Sequence, residues 1–235
     1  MLKNNILISG TSSGLGKFLL NKLNGYKLNR KKKISFYEKK KWDLIIHCGF
    51  YNGSDSKKGL ECIKFSHQVS KLKSKKTIFI SSMSIHDKMN NSLYKQSKKI
   101  CELFYNDKKD YIIRLGSLIG DEMRKNTIHK ILFSKNPKIG LTANSKYSFV
   151  HYNEVLQLIN FLLKQNKNKC VNFYRHKLFS IKQIANKFNK KVNYGNFFFK
   201  CTTLRYYQKT NFNKMILNKT SLDILKEFKN FKKNN

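Results

Sequence analysis

The sequence predicts an α/β protein with a doubly wound parallel sheet, followed by a small α+β lobe. Short apolar runs alternate with amphipathic helical stretches through the first half of the chain, which is typical of parallel strands joined by helices. The second half is less regular, and no proline- or glycine-rich linker separates it from the first. We therefore expect a sheet domain at residues 1–120 and a smaller lobe at 121–235. The helix near 153–164 is expected to pack back on the sheet.

Five apolar runs in the first half are predicted strands of the sheet. They are Ile6–Ile8, Tyr26–Leu28, Leu44–Ile46, Ile78–Ile80 and Tyr111–Ile113. After the first run, Leu15, Leu19 and Leu23 recur at helical spacing, which predicts a helix with one buried face. Further helices are expected around residues 59–72 and 95–106.

The second half is predicted to contain shorter elements. Strands are expected at Phe149–His151, Cys170–Tyr174 and Val192–Phe199, and a last short helix is expected at Thr220–Phe228. Asn153 is expected to cap a helix over Glu154–Leu163, and Ser180–Gln183 has the pattern of a capping box. The aromatic stripe Phe197–Phe199 is expected in the core, and Lys229–Asn235 are expected to be frayed.

The net charge of +36 leaves two interpretations open. Of the 49 basic residues only five are arginine, and lysine is spread along the whole chain beside abundant Asn, Ile, Phe and Tyr. This composition is typical of drift in an AT-rich genome, whereas a nucleic-acid groove favours arginine for its bidentate contacts. The alternative is a real polyanion partner, and even without one we expect weak, salt-sensitive, nonspecific polyanion binding.

The cysteines and the apolar runs predict a cytoplasmic protein without a membrane anchor. The five cysteines are scattered and show no CxxC spacing, so we expect reduced thiols, with no disulfide framework and no metal site. No apolar run approaches the roughly 18 residues that a membrane-spanning helix needs. The N-terminus runs directly into the first predicted strand, without a signal-peptide pattern.

The segment Gly10–Gly16 lies between the first predicted strand and its helix and has the form of a dinucleotide-binding turn. Gly10 would allow the tight turn, Gly14 the approach of the pyrophosphate, and Gly16 close packing of the helix on the sheet. The amides of this turn, including those of Ser12, Ser13 and Leu15, would meet the phosphates at the helix N-terminus. A purely structural turn is the alternative.

The second predicted strand bears on the choice of cofactor. An acidic residue about 20 positions beyond the glycine turn would bind the ribose hydroxyl of NAD, and none is found there. The strand runs instead into the basic cluster Asn29–Lys33, in which Arg30 suits the extra phosphate of NADP. The sequence favours NADP slightly and leaves NAD open.

Tyr94 and Lys98 are four residues apart on one predicted helix face, and they form a candidate proton-transfer pair. Moving a hydride to or from a carbonyl carbon requires a group that gives or takes a proton. A free tyrosine is a weak base at neutral pH, and a nearby ammonium lowers its pKa. Ser82, at the carboxyl end of a strand, would stabilise charge on the substrate oxygen. A chance pair on a surface helix is the alternative.

Several motifs in the same order resemble the short-chain dehydrogenase/reductase superfamily, closest to its extended branch of NAD-dependent epimerases and dehydratases. The segments that carry the resemblance are Asp43–Gly49, Thr77–Ser82, Tyr94 with Ser97, Lys98 and Glu102, Ile113–Gly120, and Ser148–Val155. The resemblance implies a Rossmann-type fold and an NAD(P)-dependent oxidoreductase or epimerase. It also implies a nucleotide-activated sugar as substrate and a homodimer formed through helices around Ile100–Tyr105.

The resemblance extends the set of candidate site residues. It implies cofactor contacts at His47, Cys48, Gly49 and Leu115, although His47 could equally be a structural histidine. The candidate substrate contacts are Ser84, His86, Gly116, Ser117 and Asn126, and a solvated loop position is the alternative for His86.

The sequence departs from the family pattern at two places. The glycine spacing is that of the single-domain branch, which leaves the cofactor prediction intact but blurs the branch. Met83 and Ser84 stand where dehydratases carry Asp-Glu, so reduction or 4-epimerisation is favoured over loss of water.

A different class of function also stays open, namely a Rossmann scaffold that senses a dinucleotide or binds nucleic acid through its basic surface.

Overall fold

A six-stranded parallel sheet lies at the centre of the computed structural model, which describes residues 5–30, 32–51, 53–87, 92–105, 109–165, 169–204 and 216–234. The strands are β1 (Ile6–Ser9), β2 (Tyr26–Leu28), β3 (Trp42–His47), β4 (Ser74–Ser82), β5 (Asp110–Leu115), β6 (Ser117–Ile119), β7 (Lys146–Tyr147), β8 (Phe149–His151), β9 (Lys169–Phe173) and β10 (Phe179–Ser180). The helices are α1 (Gly14–Leu23), α2 (Ser35–Glu38), α3 (Ser56–Ser70), α4 (Leu93–Glu102), α5 (Thr127–Phe133), α6 (Tyr152–Leu163), α7 (Ile181–Lys187) and α8 (Ser221–Asn234). A 3₁₀ turn spans Met83–His86.

The strand order of the large sheet is β2-β1-β3-β4-β5-β9, and every pairing is parallel. The five strands predicted in the first half of the chain are confirmed, and so is the α/β class. The chain leaves β1 toward β2 on one side and returns to β3 on the other. The carboxyl ends of β1 and β3 therefore form a topological switch point, where sheets of this kind open a crevice.

Apolar side chains cover both faces of the sheet, as the doubly wound prediction requires. On one face, α1 and α6 share a single core with β1, β3, β4 and β5. On the other face, α2, α3 and α4 cover two smaller clusters. No helix among the described residues is long and apolar enough to cross a bilayer.

The second half of the chain contributes both to the sheet and to a separate cluster. The helix predicted near 153–164 packs on the sheet as α6, and β9 becomes its sixth strand. The other elements, α5, α7, α8 and two short two-stranded sheets, surround their own apolar cluster. The boundary near residue 120, with a smaller lobe at 121–235, stays a prediction.

The structure corrects the predicted start of α6. The helix begins at Tyr152 and is capped by His151, whose Nδ1 accepts a hydrogen bond from the Asn153 amide at 3.2 Å. The Glu154 carboxylate in turn accepts a hydrogen bond from the His151 amide at 2.8 Å. A histidine ring replaces the expected Asn153 cap because its neutral nitrogen can accept in the same way as a serine hydroxyl.

The predicted strand Val192–Phe199 is also wrong. This segment makes only isolated bridges, from Asn193 to Lys138 and from Phe197 to Leu141, and a third bridge joins Lys200, just beyond it, to Lys146. Within this segment, the backbone at Gly195 packs closely against that of Gly140, since a Cβ on Gly195 would lie 2.6 Å from the Gly140 carbonyl oxygen. Phe197 and Phe198 are 67% and 54% exposed, so only Phe199 of the aromatic stripe packs against the core.

The last helix is longer than predicted. It continues to Asn234, whereas the sequence pattern placed its end at Phe228 with frayed residues beyond. Two contacts hold the extra turns: Lys232 pairs with Asp121 at 3.2 Å, and Lys229 lies over the Phe188 ring. Ser180 and Gln183 form the predicted capping box at α7.

A buried ion pair joins α6 to the segments around it. The Arg175 guanidinium donates to both oxygens of Glu154, at 2.5 and 3.0 Å. It also donates to the carbonyls of Phe149 and Lys219. Both side chains are nearly excluded from solvent, so each charge depends on the other for compensation.

Glu154→Gln is therefore expected to destabilise the fold by about 3 kcal/mol, because it leaves the Arg175 charge buried without a counter-ion. Chemical denaturation gives the free energy of unfolding. The matched control is Glu227→Gln, which breaks an exposed pair with Lys219 and should cost less than about 1 kcal/mol. Equal effects of the two substitutions would contradict the importance of the buried pair.

Candidate functional site

The glycine turn at the end of β1 is packed so tightly that side chains are excluded from it. Gly10 has φ +71°, and a Cβ on it would lie 2.5 Å from the Gly49 amide nitrogen. A Cβ on Gly16 would lie 2.4 Å from the Gly10 carbonyl oxygen. The turn, the start of α1 and the end of β3 are thus in backbone contact, which is what a cradle for a phosphate-bearing ligand requires.

Ser9 ties the end of β3 to the same point. Its Oγ accepts hydrogen bonds from the amides of Cys48 and Gly49 at 3.1 and 3.2 Å, so its proton is directed to His47 Nδ1 at 2.6 Å. Burial holds the pKa of His47 well below its usual range, so the ring is neutral. The His47 ring stacks on Phe79 and does not reach the crevice, and it therefore supports the turn from behind.

A cavity of about 740 Å³ opens above this turn. Twelve of the thirteen predicted cofactor contacts line it, and His47 is the exception. The twelve are Gly10, Ser12, Ser13, Gly14, Leu15, Gly16, Arg30, Cys48, Gly49, Tyr94, Lys98 and Leu115. The structure thus brings residues from five segments of the sequence to one crevice at the switch point.

Arg30 lies at the far end of this cavity, beside α3. Its guanidinium is 5.2 Å from the centre of the Phe65 ring and donates to Cys62 Sγ at 3.4 Å. A shallower cavity of about 410 Å³ adjoins it, lined also by Lys32, Lys33, Ile34, Ser35 and Gln68. Lys31, part of the predicted basic cluster, lies outside the described residues. The described basic residues of the cluster are Arg30, Lys32 and Lys33, and they place positive charge next to the larger cavity. We refer to these three residues as the basic shelf.

Ser82, Tyr94 and Lys98 meet at the other end of the cavity. Tyr94 and Lys98 come from α4, which Ser92 caps, and Ser82 ends β4. The hydroxyls of Tyr94 and Ser82 are hydrogen-bonded to each other. Lys98 Nζ donates to the Ile80 carbonyl at 2.6 Å and lies 4.1 Å from the centre of the Phe50 ring. Residues 88–91 of the short connection from Ser82 to Tyr94 lie outside the described residues.

The electrostatics of this pair differ from those of exposed side chains. Burial lowers the pKa of Lys98 to about 8, although nearby thiols and Glu102 oppose the shift. Burial raises the pKa of Tyr94, and the hydrogen bond to Ser82 opposes this. At neutral pH and without a ligand, the Tyr94 hydroxyl is therefore protonated. The neighbouring Lys98 ammonium loses its proton at a lower pH than an exposed lysine does.

A second cavity, of about 770 Å³, begins where the first one ends. Ser82 and Tyr94 line both cavities. The predicted substrate contacts Ser84, Gly116 and Ser117 line the second one, together with Lys200 and Thr202 from the chain beyond the Phe197–Phe199 stripe. The tyrosine hydroxyl therefore stands at the junction of two ligand-sized spaces.

The two other predicted substrate contacts are elsewhere. His86 Nε2 makes a hydrogen bond with Asn172 Oδ1 at 3.2 Å and lies 3.5 Å from an Arg114 nitrogen, outside the second cavity. Asn126 lines the first cavity, and its side chain caps α5 by accepting from the His129 amide.

Arg114 and Glu102 fix the position of α4. The guanidinium donates to both carboxylate oxygens, with distances from 2.6 to 3.2 Å, and joins β5 to the end of the helix. Both residues belong to motifs named above, and no contact between them was predicted. Their pairing explains how one helix presents Tyr94 and Lys98 at fixed positions beside β4.

Glu122 and Arg124, which lie over the glycine turn, were not among the predicted site residues. The Glu122 carbonyl accepts from the Gly14 amide at 2.6 Å, and Glu122 itself adopts a φ of +67°. Arg124 Nε donates to Ser13 Oγ at 2.9 Å, and Arg124 lines the first cavity. Nothing local in the sequence signals this contact, which joins residues 111 positions apart.

The described residues contain no group of three or more His, Cys, Asp or Glu side chains that could hold a metal ion. All five cysteines are free. Burial raises the pKa of the Cys48 thiol, at the edge of the first cavity, to about 12. This thiol is thus protonated near neutral pH, and its side chain contributes a neutral wall to the cavity.

Solved structures with the same fold give this arrangement a context. MoeE5, solved with UDP-glucose and NAD, superposes with a TM-score of 0.76 and 11% identity over 98% of this chain and 99% of that one. UDP-N-acetylglucosamine 4-epimerase from Bacillus cereus gives 0.73 and 15%, over 97% and 96%. dTDP-4-dehydrorhamnose reductase from Bacillus anthracis, solved with NADP, gives 0.72 and 19%, over 97% and 98%.

These similarities extend over nearly the whole length of both chains, and they show that this chain has the Rossmann-type fold of those proteins. No protein-family profile and no curated protein sequence matches it. At identities of 10–19% the fold is the shared property, and the activity has to be argued from the site.

Proposed function

We propose that this protein is an NAD(P)-dependent oxidoreductase or epimerase of the short-chain dehydrogenase type, acting at a keto or hydroxyl carbon. The observation that carries the proposal is the position of Tyr94 and Ser82, which line both cavities. Hydride transfer between a dinucleotide and a substrate needs a hydroxyl that transfers a proton at the point where the two ligands meet. Few other functions require a hydroxyl at that point.

The first cavity fits a dinucleotide cofactor by two criteria. Its floor has no room for side chains at Gly10 or Gly16, so backbone amides can approach a diphosphate. Its volume of about 740 Å³ lies in the range of cofactor sites. When bound, the nicotinamide would supply the hydride acceptor or donor. The basic shelf at Arg30, Lys32 and Lys33 favours NADP slightly over NAD, because a ribose phosphate would reach those charges.

In the proposed mechanism Tyr94 exchanges a proton with the substrate oxygen. Its raised pKa keeps the hydroxyl protonated in the free protein, which suits the direction of reduction. Ser82 donates its hydrogen bond to the same oxygen and stabilises the charge that develops there. Lys98, whose Nζ lies 5.9 Å from the centre of the Tyr94 ring, would place its ammonium beside the tyrosine and hold the ribose hydroxyls of the cofactor. No acidic pair follows Ser82, so reduction or 4-epimerisation is preferred over dehydration.

We place the substrate in the second cavity and propose that it is a nucleotide-activated sugar. Ser84, Gly116 and Ser117 offer a hydroxyl and backbone groups near Tyr94, and Lys200 offers a cation for a diphosphate. Solved proteins of the same fold carry UDP-glucose or UDP-glucuronic acid.

The free cysteines suit a reducing compartment, and the cytoplasm is the proposed location.

We also propose a homodimer through α3 and α4. Leu60, Ile100 and Leu103 are exposed large apolar side chains on these two helices, which lie against each other. Pairing with a second copy would remove them from water. A single species with the mass of one chain in sedimentation at micromolar concentration would contradict this pairing.

Tyr94→Phe tests the proposal directly. Turnover of a nucleotide keto-sugar, followed by nicotinamide absorbance, should fall by about 10²–10⁴-fold because the proton donor is gone. The affinity for NADPH should change little, since the ring remains. Tyr194→Phe, at a half-exposed tyrosine outside both cavities, is the control and should keep full activity. Wild-type turnover by Tyr94→Phe would disprove the assigned role.

The pKa of Lys98 predicts a pH dependence of cofactor binding. The ammonium form is present below about pH 8 and is lost above it. The affinity for NADPH should therefore fall by about tenfold in all as the pH rises from 8 to 10. Lys98→Met should bind about tenfold more weakly at pH 7 and lose this dependence. Titrations of NADPH fluorescence at several pH values measure both, and an unchanged pH profile in the variant would contradict the assignment.

We further propose that Arg124 contacts the cofactor diphosphate, because it reaches Ser13 at the helix start while the Gly14 amide is engaged by Glu122. Arg124→Gln should weaken NADPH binding by about tenfold, as expected for loss of a charge-assisted hydrogen bond. Lys125→Gln removes the same charge from an exposed neighbour that lines neither cavity, and it should bind as wild type. Equal affinities of the two variants would rule out the Arg124 contact.

A further inference from the structure

The only tryptophan of the chain lies in an aromatic and basic cleft beside the edge strand β2. The cleft has a volume of about 300 Å³. Its aromatic and charged lining is Tyr26, Lys27, Lys32, Phe36, Tyr37, Lys40 and Trp42. We refer to it as the Tyr26–Trp42 cleft. It lies apart from Tyr94, and of its lining residues only Lys32 is also assigned to the cofactor, at the ribose phosphate.

Two of the four aromatic side chains have a clear structural role. The Tyr37 hydroxyl accepts from the Asn29 amide at 2.8 Å and donates to the Lys27 carbonyl at 3.3 Å, so it closes the backbone of the edge strand. Trp42 Nε1 donates to the Tyr37 carbonyl at 3.0 Å. Both rings are buried, and both are explained by covering the sheet edge.

The other two aromatic rings keep a large exposed area although each packs edge-on against a buried ring, Tyr26 against Trp42 and Phe36 against Tyr37. Tyr26 is 49% and Phe36 58% exposed. Lys32 Nζ lies 4.4 Å from the centre of the Phe36 ring, and Lys40 Nζ lies 5.1 Å from that of Tyr26. Each exposed ring therefore has an ammonium group beside it, and none of the described residues that line the cleft is acidic.

We propose that the Tyr26–Trp42 cleft binds single-stranded nucleic acid. A base would stack on the ring of Tyr26 or Phe36, and its flanking phosphates would meet Lys32 and Lys40. Proteins that bind single strands combine these two features, stacking platforms and a positively charged track. An acidic peptide would use the lysines and leave the rings exposed, and a double helix would keep its base faces hidden. In this proposal, part of the high positive charge of the chain serves to bind the phosphates of a nucleic-acid strand at this cleft.

The cleft adjoins the cavity assigned to the cofactor, because Lys27 and Asn29 line both. Competition with NADPH therefore does not by itself separate the two sites, whereas Trp42, which lines only the cleft, does. Trp42 provides a direct signal, since it is the sole tryptophan and its ring lies 5.6 Å from that of Tyr26. Its emission reports on the cleft and requires no enzymatic activity, so the result does not depend on the proposed function.

The experiment titrates the full chain with oligothymidylate and oligouridylate of about ten nucleotides and follows Trp42 emission. Both strands should give a saturable change with similar affinity, because the rings and phosphates involved are common to RNA and DNA. Phe36→Ala should weaken binding by about tenfold. Phe198→Ala, which removes a similarly exposed ring outside the cleft, should bind as wild type. Lys32→Gln should lower the salt slope by about one.

Two outcomes would overturn the proposal. One is an equal response to polyglutamate of the same charge, and the other is wild-type binding by both Phe36→Ala and Lys32→Gln. Thermal unfolding shows whether Phe36→Ala is folded. If it is not, Lys32→Gln, at an exposed side chain, decides alone.

Discussion

The backbone contact among Gly10, Gly16 and Gly49 is the constraint on which the rest of the site depends. These residues come from the end of β1, the start of α1 and the end of β3, and no side chain fits between them. Ser9 strengthens the contact by binding the amides that follow β3 and by orienting a neutral His47 behind them. Because these segments are held together, the crevice at the switch point stays open above them.

The other half of the site depends on the attachment of α4. Arg114 and Glu102 join the end of this helix to β5, and Lys98 joins its middle to the carbonyl of Ile80 in β4. Tyr94 is thereby held on a helix fixed to two neighbouring strands. Groups that must act within a few tenths of an ångström are best placed on such rigid elements, which supports the roles proposed for Tyr94 and Lys98.

The sequence predicted those parts of the fold that local periodicity and local motifs determine. The sheet strands of the first half, the glycine turn and the capping box at Ser180 are of this kind. The predicted strand Val192–Phe199 was wrong because the apolar run does not reveal that Gly195 packs against the backbone of Gly140, which is distant in sequence. The extension of α8 depends on Lys232 and Asp121, which are far apart in sequence.

The same distinction applies to the candidate site. Twelve predicted cofactor contacts meet in one cavity because they belong to motifs whose spacing follows from the strand and helix order. Arg124 and Glu122 could not be found in this way, since their contacts with Ser13 and Gly14 arise only when the chain beyond β6 folds over α1. His86 was assigned to the substrate from its proximity in sequence, yet it faces Asn172 instead.

A fluorescence titration of the purified protein with NADPH and, separately, with NADH shows whether the crevice at the switch point binds a dinucleotide. Saturable binding of both at one site per chain is expected, with the tighter binding for NADPH because of the charges at Arg30, Lys32 and Lys33. Absence of binding by either dinucleotide would contradict a cofactor site here, since the glycine turn would then be a structural turn without a ligand.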